Sequence, residues 1–119
     1  MRAAAVALAA GVLLGACGGS SAAQPAGSTK VTMTEFKFDP STISVPSGKV
    51  VFFLVNAGTS SHDMIIRDSK GTKVAGSELV SAGDSFVFTV DSITAGTYTF
   101  FCDQPGHEAS GMKGTLTVS

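Results

Sequence analysis

Basic residues are too few and too scattered in this chain to build a nucleic-acid face. Eight Lys and Arg stand against nine Asp and Glu, a formal charge of −1. Histidine is scarce, with two in 119 residues, and so is cysteine, also two. Beyond the N-terminus no apolar run reaches the roughly 18 residues of a membrane span, so the rest of the chain is expected not to cross a bilayer. No segment combines helical periodicity with caps, and no internal repeat is apparent. What is present suffices for one domain and falls short of two. Apolar residues make up 44% of the chain, and eight phenylalanines supply bulk for one core without disulfide staples.

Residues 1–17 read as a targeting segment, with Arg2 as the only charge, an apolar run from Ala3 to Leu14, and then small residues. A helix of that length with no polar face, followed by a Gly/Ser/Ala/Pro stretch, would have nothing to pack against. Leu14-Gly15-Ala16-Cys17 resembles the lipobox of bacterial lipoproteins. That resemblance implies that Cys17 is lipidated and becomes the mature N-terminus. Several acyl chains would hold it at a membrane surface, since each buried methylene contributes about 0.8 kcal/mol. Residues 18–29 are then a flexible, low-complexity linker, and residues 30–119 the folded domain. Loss of Arg2 leaves seven basic against nine acidic residues, or −2. The expected location is extracytoplasmic, periplasmic or on the outer cell surface, anchored by lipid.

With Cys17 lipidated, Cys102 is the one remaining thiol in a compartment that oxidises thiols. An odd cysteine there signals an intermolecular pair or a thiolate put to use, whereas a small buried apolar cysteine is the plainer reading.

From Val31 onward the signals are those of strands. Thr34 to Phe38 alternates and Asp39-Pro40-Ser41 turns the chain. Val50 to Val55 is apolar on both faces, as in the centre of a sandwich. Ser85 to Val90 and Thr97 to Cys102 follow as strands, and Leu116 to Val118 closes the chain. Lys73 to Val80 reads as either a short helix or an irregular strand. The expected fold class is all-β, a Greek-key antiparallel β-sandwich. Period two puts Tyr98, Phe100 and Cys102 on the inward face of one strand. Glu35, Glu78, Asp84 and Asp91 read as solvated surface.

Cys102, His107 and Met112 follow one another at intervals of five, with Pro105, Gly106 and Gly111 to bend the loop between them. His62 stands forty residues upstream, after a polar loop. A thiolate, two imidazoles and a thioether are soft and borderline donors, the set that suits one copper ion as Cu(I) or Cu(II). Zinc accepts Cys and two His but gains little from a thioether. A Cys–His nucleophile pair is the enzymatic alternative. An inward Cys102 with no third residue or oxyanion site argues against it, so no enzyme is expected.

The sequence resembles the cupredoxins, the small blue copper proteins of plastocyanin and azurin type. The resemblance runs from about Val31 to Val118. It is carried by Phe36-Lys37-Phe38-Asp39-Pro40, Ile43-Ser44-Val45, Asn56-Ala57-Gly58, His62-Asp63, Tyr98 to Cys102, Pro105-Gly106-His107 and Gly111 to Leu116. It implies His62, Cys102 and His107 as equatorial ligands and Met112 as the axial one. The metal would lie at one end of the sandwich, with the His107 edge emerging through an apolar patch as the electron port. Asn56, Asp63 and Asp103 are expected behind the ligands. Asp63 stands where the family often has an asparagine that ties the two ligand loops, and Asp103 follows the cysteine. Either one of these carboxyls keeps a proton or one turns out to solvent, the second being expected. Phe101 replaces a tyrosine that some relatives expose, and is read as docking surface only.

The leading function is one-electron transfer at the cell envelope by a monomer whose redox protein partners dock near His107 and whose membrane contact is the lipid on Cys17. The rival is copper delivery or storage. Only four methionines occur, and no Met- or His-rich tract, which favours the carrier.

Overall fold

The computed structural model describes residues 22–119. The targeting segment, Cys17 and the start of the linker lie outside the described residues. Within these, nine strands and no helix form a two-sheet sandwich: β1 Thr29–Thr34, β2 Lys37–Asp39, β3 Thr42–Val45, β4 Gly48–Asn56, β5 Ile65–Arg67, β6 Lys73–Gly76, β7 Ser85–Ile93, β8 Gly96–Phe101 and β9 Lys113–Val118. One sheet has the order β2-β1-β4-β7 and the other β3-β9-β8-β5-β6. No helix among the described residues is long and apolar enough to cross a membrane.

Inward positions alternate as the strand period requires. Ile43 and Val45 in β3, Tyr98 and Phe100 in β8, and Leu116 and Val118 in β9 are buried. β4 departs from alternation, with Phe52, Phe53 and Leu54 all buried, as its apolar composition predicts. Phe38 meets Phe100 edge-on at 5.1 Å and Phe52 stacks on Phe88 at 5.8 Å. Each buried ring of this size contributes roughly 1.5–3 kcal/mol, and the paired geometry adds to that.

The pairing is not wholly antiparallel. β1 runs parallel to β4, and β3 parallel to β9. Alternation reports which face of a strand is buried and carries no information on direction. Direction follows from the route: β3, in the opposite sheet, intervenes between β2 and β4, and the chain returns running the same way as β1. Two local readings also change. Thr34 to Phe38 is not one strand, because the chain reverses at Glu35-Phe36, with Thr34 opposite Lys37 and Phe36 at φ 48°. Lys73 to Val80 holds no helix: after β6, Val80 forms a bridge with His62.

The parallel pairing of β1 and β4 has a direct spatial consequence. Met33 lies opposite Asn56, so the turn after β1 and the loop after β4 emerge side by side at one end of the sandwich. The end of β8 and the loop into β9 open at that end too.

Candidate metal centre

His62 leads into β5 and is fully buried. Its backbone is fixed on both sides by Val80, at 3.1 Å from N–H to carbonyl and 2.8 Å in the reverse sense. The preceding loop is braced by buried Asn56. Its Nδ2 donates to the carbonyls of Ser60 and Val80, and its Oδ1 accepts the Gly58 N–H. Cys102 follows the last residue of β8 and is buried and free. Its N–H donates to the Met112 carbonyl at 3.2 Å, and the Met112 N–H donates to the His107 carbonyl at 3.1 Å. Two backbone bonds thus fold the loop so that residues 102, 107 and 112 share one end of the core, with Met112 fully buried there.

Cys102 Sγ lies 3.5 Å from His107 Nδ1 and 3.9 Å from His62 Nδ1, and the two nitrogens are 3.2 Å apart. The point equidistant from the corners of that triangle is about 2 Å from each, a metal–ligand bond length. Burial pushes the His62 imidazole below its ordinary value and so keeps it neutral, the form that offers a lone pair. Burial also pushes the Cys102 thiol up, while the N–H groups of Asp63 and Gln104 pull it down. Backbone N–H groups beside a sulfur favour its thiolate. The donor set fits a soft or borderline ion.

Asp63 is buried and its Oδ1 accepts the Asp103 N–H at 2.9 Å, so an aspartate ties the two ligand segments together. Its carboxyl is pushed up to about 6, first by burial and then by the Asp103 carboxylate. Asp103 is itself exposed to solvent. Phe101 is not open docking surface, because the Arg67 guanidinium covers its ring at 4.3 Å. Arg67 also holds Glu108, the neighbour of His107, through two bonds of 3.0 and 2.6 Å. Phe36 instead supplies exposed apolar surface at this end. It is 42% exposed and packs edge-on against the His107 ring at 5.0 Å.

Sequence reasoning missed Glu35, which is not merely solvated surface. Its Oε1 lies 3.3 Å from His62 Nε2 and accepts the N–H groups of Thr59 and Ser60, each at 2.7 Å. Those two N–H groups hold the carboxyl down to about 2, so it is ionised near neutral pH. A carboxylate in an alternating segment gave no signal of this role.

Soft and borderline donors converging on one point at the end of an all-strand sandwich are the arrangement of a mononuclear copper protein. Comparison with known proteins narrows the class: the family described as Cupredoxin-like domain matches residues 5–118, and the chain belongs to the cupredoxins. It is 36% identical over 93 residues to plastocyanin of Dryopteris crassirhizoma, covering 70% of this chain and 88% of the relative. The structure of that plastocyanin in its oxidised form superposes with a TM-score of 0.59, covering 76% of this chain and 100% of the other at 30% identity. Plastocyanin of Scenedesmus fuscus is 34% identical over 88 residues, covering 68% of this chain and 85% of the relative. The fold is also shared with auracyanin from Roseiflexus castenholzii, at a TM-score of 0.68 and 23% identity, covering 77% and 96% of the two chains. The protein is therefore an electron-transfer cupredoxin that takes one copper ion.

Proposed function

We propose that His62, Cys102, His107 and Met112 hold the copper, and that the protein passes single electrons between redox partners outside the cytoplasm. The convergence of His62 Nδ1, His107 Nδ1 and Cys102 Sγ within 4 Å carries the assignment. Bound copper supplies the one-electron couple. The chain's part is to keep the donors in nearly the same places in both oxidation states. His62 does this through its two bonds to Val80, and Cys102 and Met112 through the backbone ladder of their loop. Full burial of His62, Cys102 and Met112 favours retention of the ion, and so a carrier over a delivery protein.

Partners dock over the partly exposed His107 and its neighbour Phe36, where the path to the site is shortest. Residues 1–17 direct export, Cys17 carries the lipid, residues 18–29 tether, and residues 30–119 work as a monomer. Its support is the apolar leader ending in Leu14-Gly15-Ala16-Cys17 and the lone thiol of the domain.

Addition of Cu(II) to the purified domain should give an intense visible band and a copper EPR signal. Cys102→Ser should abolish the colour, whereas Met112→Leu should keep the metal and shift the potential. A blue band that survives Cys102→Ser would end the assignment. Expression of Cys17→Ser should move the protein from the membrane to the soluble fraction, and an unchanged distribution would remove the anchor.

A further inference from the structure

Glu35 sits on the two-residue turn between β1 and β2, a segment remote in sequence from every ligand. That turn touches both imidazoles: Glu35 reaches Nε2 of His62, and Phe36 packs on His107. Nδ1 of His62 is turned toward Cys102 and His107, so the tautomer that leaves Nδ1 free for a metal carries its proton on Nε2, where the N–H donates a hydrogen bond to the carboxylate. The same Oε1 is fixed by the N–H groups of Thr59 and Ser60. Gly58 leaves it room. A Cβ there would stand 2.6 Å from Oε1 and 2.9 Å from Oε2, and no strained φ is involved. A carboxylate fastened to backbone on one side and to a ligand imidazole on the other fixes the ring's orientation and tautomer and raises its basicity as a donor.

We infer that Glu35 is a positioning residue for the copper centre, orienting His62 and lowering the reduction potential by favouring Cu(II) over Cu(I). The inference rests on the copper assignment above. The cause is electrostatic: a fixed negative charge behind an equatorial imidazole stabilises the more highly charged ion. Glu35→Gln keeps an oxygen for the backbone N–H groups and for His62 but removes the charge. Gly58→Ala keeps Glu35 and every ligand but displaces the carboxylate from its bonds to the Thr59 and Ser60 N–H groups and to His62; the clash itself is relieved by movement at the end of a flexible side chain.

The test is voltammetry of the copper-loaded wild type, Glu35→Gln and Gly58→Ala. It is paired with long-range 1H–15N NMR of the His62 ring in the metal-free and Cu(I) proteins. Glu35→Gln should weaken Cu(II) binding about tenfold or more while Cu(I) binding changes less. A tenfold selective loss raises a one-electron potential by about 59 mV. Gly58→Ala should move the potential in the same direction. In both variants the Nε2–H proton should exchange faster with water than in the wild type. A purely structural brace would leave the potential where it was. Unchanged potentials in both coloured variants, or a His62 ring protonated on Nδ1 in the wild type, would overturn the inference alone. A wild type that takes up no copper would overturn it together with the assignment beneath it.

Discussion

The carboxyl of Asp63 is buried between the two ligand segments, where an amide oxygen could make the same bond to the Asp103 N–H without a charge to bury. Its value rises from 3.8 toward about 6 in the folded chain. The native state therefore keeps a proton that the unfolded chain releases, and stability falls as pH rises from about 4 to above 6. In the metal-free protein, Asp63→Asn should be more stable by about 1–3 kcal/mol near pH 7, with the gain fading by about pH 4. Urea unfolding at the two pH values checks this, and a variant less stable near neutrality would contradict it. The four residues proposed as ligands could be picked out of the sequence because few residue types offer soft donors and three of them, Cys102, His107 and Met112, stand at intervals of five. Glu35 was not, since a carboxylate's chemistry is common and its position beside His62 arises only in three dimensions.

At the scale of elements, the ligand frame depends on how closely β9 can approach the chain around it. A Cβ on Gly114 would collide with the Phe100 ring and the Ser41 backbone carbonyl. Phe100 in turn packs on Phe38, and the Ser41 carbonyl accepts the Thr115 N–H, so neither neighbour can yield cheaply. Gly114→Ala should therefore cost about 1–3 kcal/mol, read as a lower urea midpoint with an unchanged slope. A midpoint equal to wild type would show that β9 has slack. The inward face of β8 was readable from alternation alone. The β1–β2 turn was hidden, because Glu35-Phe36 contains none of the usual turn residues and Phe36 takes φ 48° against its own preference. Strand direction in β1 and β4 was hidden as well, and that pairing sets the Glu35 turn against the His62 loop.

For the molecule as a whole, the donors are held by backbone bonds and core packing, so the fold should not require the ion. Metal-free protein should melt in one cooperative transition, and copper should raise its Tm. At free copper a thousand times its Kd the added stability is about 4 kcal/mol. A chain that unfolds on metal removal would show instead that the site is built by copper.

The most direct measurement is copper X-ray absorption on the protein in its oxidised and reduced states. Two nitrogens and one sulfur at short distance in both states, with bond lengths that barely change between them, are the predicted result. Loss of the sulfur, or a change in the number of ligands on reduction, would contradict the account.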